Sequence, residues 1–191
     1  MSKFSILSSF LAFTLLFSAC SKEETQQEDN TQEEANAMLS SNEFILTSLA
    51  NKQYVVKKSP TGFKVEGAKN KVIIIDIFAT WCPPCQAEAS HLASLQKKYP
   101  DSLLVLGVTV EDGIQNSKLQ DFKAAYNADY TLVNSSENSR LIDAVAQQLK
   151  VGRNFGIPLM AMYKDGKLVE YYQGAVEEEF IESDIKKALG K

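Results

Sequence analysis

The sequence predicts an α/β fold: a three-layer sandwich whose mixed central β-sheet is flanked by helices, with a β-rich N-terminal extension. Three observations point there. Val72 to Phe78 is a nearly unbroken β-branched run broken by Asp76, the pattern of a central strand buried on both faces. Pro83 to Tyr99 places Leu92, Leu95 and Tyr99 on one helical stripe. Downstream, strand-like and helix-like segments alternate, and such alternation means a sandwich.

Composition bounds the function. The chain has 191 residues, the size of one domain, with 45% hydrophobic and 23% charged residues and a net charge of −4. A pI near 5.2 argues against a nucleic-acid binder, which carries a basic face. One histidine, His91, excludes a multi-His metal site, and three cysteines exclude a disulfide-dense scaffold.

Lys3 is the only charge before Lys22, Phe4 to Phe17 is apolar apart from Ser and Thr, and the small residues Ser18 and Ala19 precede Cys20. That reads as an export signal. Leu16-Phe17-Ser18-Ala19-Cys20 resembles a bacterial lipobox, with Phe17 where the pattern prefers Leu. The resemblance implies a signal peptide over 1–19 and a lipidated Cys20 as the new N-terminus, facing the periplasm or exterior of a bacterial cell envelope. An uncleaved anchor and full release are the alternatives. All three place the folded part outside the cytoplasm. Residues 20–41, acidic through Glu23, Glu24, Glu28, Asp29, Glu33 and Glu34, read as a flexible tether. The domain is expected over 42–191.

Short β-like pieces come first: Phe44–Leu46, Tyr54–Val56 and Phe63–Val65, with Pro60 and Gly62 as breakers. The central strand follows. Pro83 suits a first helical position, Lys97 and Lys98 a last turn, and Pro100 a stop. Leu103–Val110 is a second apolar strand. Lys118–Tyr126 and Asn138–Leu149 read as helices with a short strand, Tyr130–Val133, between them. Leu159–Tyr163 and Leu168–Gln173 are strands joined through the hairpin signal Asp165-Gly166. Glu177–Leu189 closes the chain as a helix, its leading glutamates and trailing Lys186, Lys187 and Gly190 matching the macrodipole and capping rules.

The chemistry sits in Trp81-Cys82-Pro83-Pro84-Cys85, between the buried strand and the helix. Cysteines three apart at a helix start face the same side of its first turn, where their sulfurs can close a disulfide. Cys82 meets the positive end of the helix dipole and free N–H groups, which favour a thiolate. It is therefore assigned as nucleophile, and Cys85, expected to be more buried, as the resolving thiol. An inert structural disulfide and a zinc site are the competing readings; only one CxxC and one His weigh against zinc. Asp76, in an otherwise apolar strand, is costly to bury charged, so its pKa should rise. A backbone-satisfying role is its alternative.

Phe78 to Cys85 (Phe-Ala-Thr-Trp-Cys-Pro-Pro-Cys) resembles the thioredoxin superfamily, and within it the membrane-anchored thiol–disulfide oxidoreductases of the TlpA type. The resemblance covers about residues 69–189 and implies a thioredoxin-like fold whose redox group is the Cys82–Cys85 disulfide itself, with no other cofactor and no metal. It places Asp76 where thioredoxin has a buried acid that exchanges a proton with the resolving cysteine, hence near Cys85. It implies a cis peptide before Pro158, beside the sulfurs, with the backbone of Ile157 pairing with a substrate strand. The family has Thr after that proline; here it is Leu159. Trp81 would shield the site and contact substrate, with core packing as the alternative. Glu88 matches the TlpA-type pattern and would tune the site acid; a helix-surface glutamate is the alternative. His91, two turns down the helix, is a partly exposed residue too distant to activate Cys82. Residues 111–154 match a family insertion and offer no catalytic motif.

Direction depends on how well the reduced form's thiolate is stabilised. DsbA-type oxidants carry a His between their cysteines; Pro83 and Pro84 add neither a charge nor an N–H donor. Asp76 and Glu88 add negative potential. A reductant with a modestly lowered Cys82 pKa is expected. The resemblance implies as partners disulfide-containing exported proteins, apocytochrome c among them, a membrane thiol-electron donor, and the membrane itself through the N-terminal lipid. A folding oxidase or isomerase, a thiol peroxidase and a noncatalytic binding lipoprotein are the alternatives.

Overall fold

The computed structural model describes residues 42–152 and 154–191. The expected signal peptide over 1–19, Cys20 and the tether over 20–41 lie outside the described residues.

Val72–Phe78 forms β4, the middle strand of a five-stranded sheet, with all seven residues buried. The elements in order are β1 (Glu43–Thr47), β2 (Gln53–Ser59), β3 (Gly62–Val65), β4, α1 (Pro83–Lys98), β5 (Leu103–Thr109), α2 (Asn116–Ala125), β6 (Thr131–Val133), α3 (Asn138–Leu149), β7 (Leu159–Lys164), β8 (Lys167–Gln173) and α4 (Glu178–Ala188). The main sheet runs β6-β5-β4-β7-β8. β4, β5 and β6 are parallel, whereas β7 and β8 are antiparallel to their neighbours. This is the mixed thioredoxin-like sheet expected from the sequence.

Strand alternation divides β4 between two cores. Val72, Ile74 and Phe78 pack with Leu92 and Leu95 of α1, Leu119 and Phe122 of α2, and Ile181 and Ile185 of α4. Ile73, Ile75 and Ile77 pack on the other face with Leu141 and Val145 of α3 and with Phe44, Leu46, Val56 and Phe63 of the N-terminal strands. Each fully buried Ile stabilises by about 1.5–3 kcal/mol relative to exposure. Asp76 falls between Ile74 and Phe78 in this alternation, so it enters the first core, the one that also holds Cys82 and Cys85.

The N-terminal strands form a separate antiparallel sheet, β1-β2-β3. It is tied to the main sheet at both ends. At β6, Asn134 N–H donates to Thr47 O (2.8 Å) and Leu49 N–H to Leu132 O (3.1 Å). At the β7–β8 turn, the Ser59 and Thr61 hydroxyls both donate to Gly166 O, at 2.7 and 3.0 Å. In that turn Asp165 and Gly166 have φ of 53° and 78°, the two positive values a type I′ hairpin requires.

Helix boundaries fall within two residues of the sequence expectation, the usual uncertainty at frayed ends. α1 has Pro83 and Pro84 in its first turn and Lys97 and Lys98 in its last. α4 ends with Gly190 at φ 71°. Gly190 N–H donates to Lys187 O (3.1 Å) and Lys191 N–H to Lys186 O (2.9 Å), the paired bonds of a Schellman cap. Among the described residues, no helix is long and apolar enough to cross a membrane.

Candidate active site

Cys82 is the N-cap of α1, and Cys85 lies in its first turn. The two are joined as a disulfide with a Cα–Cα separation of 5.3 Å. Cys85 N–H points at Cys82 Sγ (3.4 Å), so the cap sulfur takes the place of the oxygen that usually satisfies a free helical N–H. From the opposite side, Ile157 O lies 3.7 Å from Cys82 Sγ. The Ile157–Pro158 peptide is cis. β7 begins at the next residue, and Leu159 pairs with Ile77, so β4–β7 pairing carries this turn to the sulfurs. Leu159 itself is fully buried and packs in the other core.

Cys85 is not the more buried cysteine: each retains 3% exposure. The Ile157 backbone lies against Cys82 and encloses it, a contact that no helix pattern contains. What separates the two thiols is position, cap against first turn. Trp81 is 66% exposed, which removes the core-packing reading and leaves its ring on the surface beside Cys82. Pro83 and Pro84 are also exposed.

Two residues beyond the sequence reading hold this loop. The Glu111 carboxylate accepts from Thr80 N–H (2.6 Å), from the Thr80 hydroxyl (3.0 Å) and from the Thr109 hydroxyl (3.2 Å). Gln86 Nε2 donates to Thr80 O (2.8 Å). Thr80 is therefore held at its N–H, hydroxyl and carbonyl, immediately before Trp81 and Cys82. Region 111–154 carries no catalytic motif in sequence, yet it supplies this clamp and the tyrosine described next.

Beneath the disulfide side of the sheet lie two buried acids. Asp76 is 2% exposed and Glu88 1%. The helix-surface reading of Glu88 is overturned, because extending the Leu92, Leu95, Tyr99 stripe back by one turn reaches Glu88 and turns it to the sheet. Asp76 Oδ2 accepts from the Tyr130 hydroxyl (3.1 Å). Glu88 Oε1 accepts from Val176 N–H (3.2 Å). The remaining oxygens, Asp76 Oδ1 and Glu88 Oε2, are buried with no hydrogen-bond partner. Such orphaned acceptors favour the protonated acids. Burial pushes Asp76 up to about 7, with the Tyr130 hydrogen bond opposing. Burial, then the charge of Asp76, pushes Glu88 up to about 8, with the Val176 N–H opposing. Burial and the neighbouring carboxyls hold the Tyr130 hydroxyl well above its usual pKa, so it remains a donor.

His91 is half-buried, with Nδ1 3.3 Å from Val176 O. Glu88 and His91 thus grip one residue, Val176, of the loop between β8 and α4. Among the described residues, no group of three or more His, Cys, Asp or Glu side chains could hold a metal ion.

Tyr130 and Glu111 take these places with no local motif to mark them. Glu111 carried no signal of its own. For Tyr130 the signal was Gly107, a lone glycine in an apolar strand, where a close approach by another group is the usual cause. A Cβ there would sit 2.7 Å from Leu132 Cδ2 and 2.9 Å from Tyr130 Cε2.

A CxxC disulfide capping the helix after the central strand, on a thioredoxin-like sheet with a cis-proline opposite, defines a class: the thiol–disulfide oxidoreductases of the thioredoxin superfamily. The chain belongs to the Redoxin family, whose model matches residues 50–189. It is similar to the thioredoxin-like protein YneN of Bacillus subtilis, 30% identical over 104 residues, 46% of this chain and 61% of that protein. It is also similar to the thiol-disulfide oxidoreductase ResA of Bacillus cereus, 24% identical over 186 residues, 95% of this chain and 90% of that protein. In fold it resembles a thiol:disulfide interchange protein of Chlorobium tepidum, with a TM-score of 0.62 and 21% identity, covering 78% of this chain and 95% of that one. The chain spans about half the length of several curated relatives that it matches.

Proposed function

We propose that this protein reduces disulfides in exported proteins, with the Cys82–Cys85 pair as its redox group and no further cofactor. One observation carries the direction: two carboxyls, Asp76 and Glu88, are buried on the face of the sheet whose core holds Cys82 and Cys85. The negative charge that this pair takes on as it ionises opposes the helix dipole and disfavours a very stable thiolate, and a dithiol whose reduced form is poorly stabilised gives up its electrons readily. Pro83 and Pro84 add no N–H to a thiolate in the first turn.

In the forward reaction, Cys82 thiolate attacks a substrate sulfur and displaces the other as a thiolate, leaving a mixed disulfide. Cys85 gives its proton to Asp76, and its sulfur attacks Cys82 Sγ. The Cys82–Cys85 bond forms, the mixed disulfide breaks, and the electron pair leaves on the second substrate sulfur. Two electrons pass from protein to substrate. The Ile157 backbone, set by Pro158, pairs with the substrate strand, and exposed Trp81 covers it. Glu88 tunes Asp76.

The TlpA-type resemblance supports apocytochrome c, with its CxxCH pair, as a leading substrate, and a membrane thiol donor as electron source. A signal peptide over 1–19, lipid on Cys20 and a tether over 20–41 would hold domain 42–191 at the cell envelope.

The test is the equilibrium reduction potential of Cys82–Cys85 in the full-length protein, in dithiothreitol and glutathione buffers. A value of about −270 mV, as in thioredoxin, is expected. A value of about −120 mV, as in DsbA, would make the protein a folding oxidant and overturn the proposal.

A further inference from the structure

Asp76 and Glu88 occupy one core, yet the resolving step needs one proton acceptor in one place. Two like charges in a buried site are not both ionised readily, so the pair keeps a proton over much of the neutral range and titrates as a unit. Something must decide which carboxyl holds it.

The asymmetry lies in their partners. Asp76 accepts from a side-chain hydroxyl, Tyr130 (3.1 Å), whereas Glu88 accepts from the backbone N–H of Val176 (3.2 Å). Each carboxyl also has one buried oxygen without a partner. The Tyr130 contact is built into the sheet. Asp76 of β4 stands opposite Gly107 of β5 in register, and Leu132 of β6 stands on the far side of Gly107. The missing side chain at Gly107 is the space that the Tyr130 ring and Leu132 occupy. The ring therefore crosses β5 to reach Asp76. Met160 of β7 stands in register with Asp76, and the core on this face of β4 also holds the apolar Ile181 and Ile185 of α4. The titratable groups acting on the two acids are Tyr130 and the acids themselves.

We propose that Tyr130 is a positioning residue of the redox site: by donating to Asp76 it places the pair's negative charge there and leaves the proton on Glu88, so that Asp76 accepts the proton of Cys85. The inference rests on the reading of Asp76 as proton acceptor given above. A hydrogen bond to the charged form favours that form, and in a low-dielectric core the preference is larger than in water. Tyr130 touches neither substrate nor sulfur in this scheme.

The step can be watched in isolation. Reduced protein carrying Cys20→Ser, so that Cys82 and Cys85 are its only thiols, is mixed with 5,5′-dithiobis(2-nitrobenzoate). Cys82 attacks and releases one thionitrobenzoate; Cys85 then attacks Cys82 Sγ and releases a second. The rate of the second release is followed from pH 5 to 9 in this Cys20→Ser protein and, on the same background, in Tyr130→Phe, Asp76→Asn and the double variant. Tyr130→Phe should raise the midpoint of the profile by about one pH unit, slowing release about fivefold to tenfold at pH 7. Asp76→Asn should abolish this limb, and adding Tyr130→Phe to it should change nothing more. If Asp76→Asn moves the profile and Tyr130→Phe does not, the role of Tyr130 is refuted while Asp76 stands as acceptor. If Asp76→Asn matches the wild type, the acceptor reading fails and this inference with it. A measurement on unsubstituted protein guards against a variant that does not fold: carboxyl 13C NMR titration of the reduced wild type should show Asp76 ionising at lower pH than Glu88. The reverse order overturns the proposal.

Discussion

Glu111 holds Thr80 through two atoms at once, the backbone N–H at 2.6 Å and the hydroxyl at 3.0 Å. The contact joins the end of β5 to the loop that presents Trp81 and Cys82. Charge-assisted bonds of this kind are shorter and stronger than neutral ones. Glu111→Gln keeps the shape but loses the charge and turns one acceptor into a donor facing another donor. Unfolding in urea should show a loss of about 1–3 kcal/mol, and insulin reduction should slow several-fold. Unchanged stability and unchanged rate together would show that the clamp does not position the loop.

The two thiols have separable roles. Cys82→Ser should bring dithiothreitol-driven insulin reduction to background. Cys85→Ser should still attack and then stall, so a mixed disulfide through Cys82 accumulates and is seen by mass spectrometry. Trapping through Cys85 in Cys82→Ser at an equal rate would reverse the assignment.

Stability should fall with rising pH because of Asp76. Its folded pKa is about 7, above the ordinary carboxylate value of 3.8, so the folded state binds the proton more tightly than the unfolded one. Below about pH 4 both states are protonated and nothing is lost. From there to about pH 7 the unfolded state ionises while the folded state resists, and stability declines by about 4 kcal/mol at most. Asp76→Asn should remove the share of this decline that Asp76 contributes and leave the share due to buried Glu88, giving a higher Tm than wild type at pH 8 and a similar one at pH 4. Parallel Tm curves for the two proteins would contradict the buried-acid account.

At Gly107 a methyl group has no room. Gly107→Ala would press on Leu132 and on the Tyr130 ring, both within 3 Å of the added carbon. Overpacking of this kind costs about 1–3 kcal/mol, measurable by urea denaturation. Wild-type stability would mean that β6 shifts freely, against the packing described.

Trp81 is exposed, so truncation should leave stability within about 0.5 kcal/mol. Trp81→Ala is expected to raise KM for a protein disulfide several-fold while leaving the reaction with a small aromatic disulfide nearly unchanged. An equal loss with both substrates would place Trp81 in the chemistry rather than in substrate contact.

The sequence by itself determined the elements and the redox motif. β4 could be read because a run of β-branched residues has one stable home, a strand buried on both faces. α1 could be read because its apolar residues, first-turn prolines and terminal lysines agree. Cys82 and Cys85 could be placed because three residues on a helix start is a local distance. Tertiary structure alone decided what surrounds them. Tyr130 meets Asp76 from 54 residues away, and Glu111 meets Thr80 from 31. Glu88 is buried because α4 and the Val176 loop close over α1, and Cys82 is enclosed because β7 delivers Ile157 to it. Each of these depends on strand order and register, which bring distant residues together with no trace in local periodicity. The pattern of a helix or strand states which face is apolar; it does not state which polar group from another element will be pressed against that face.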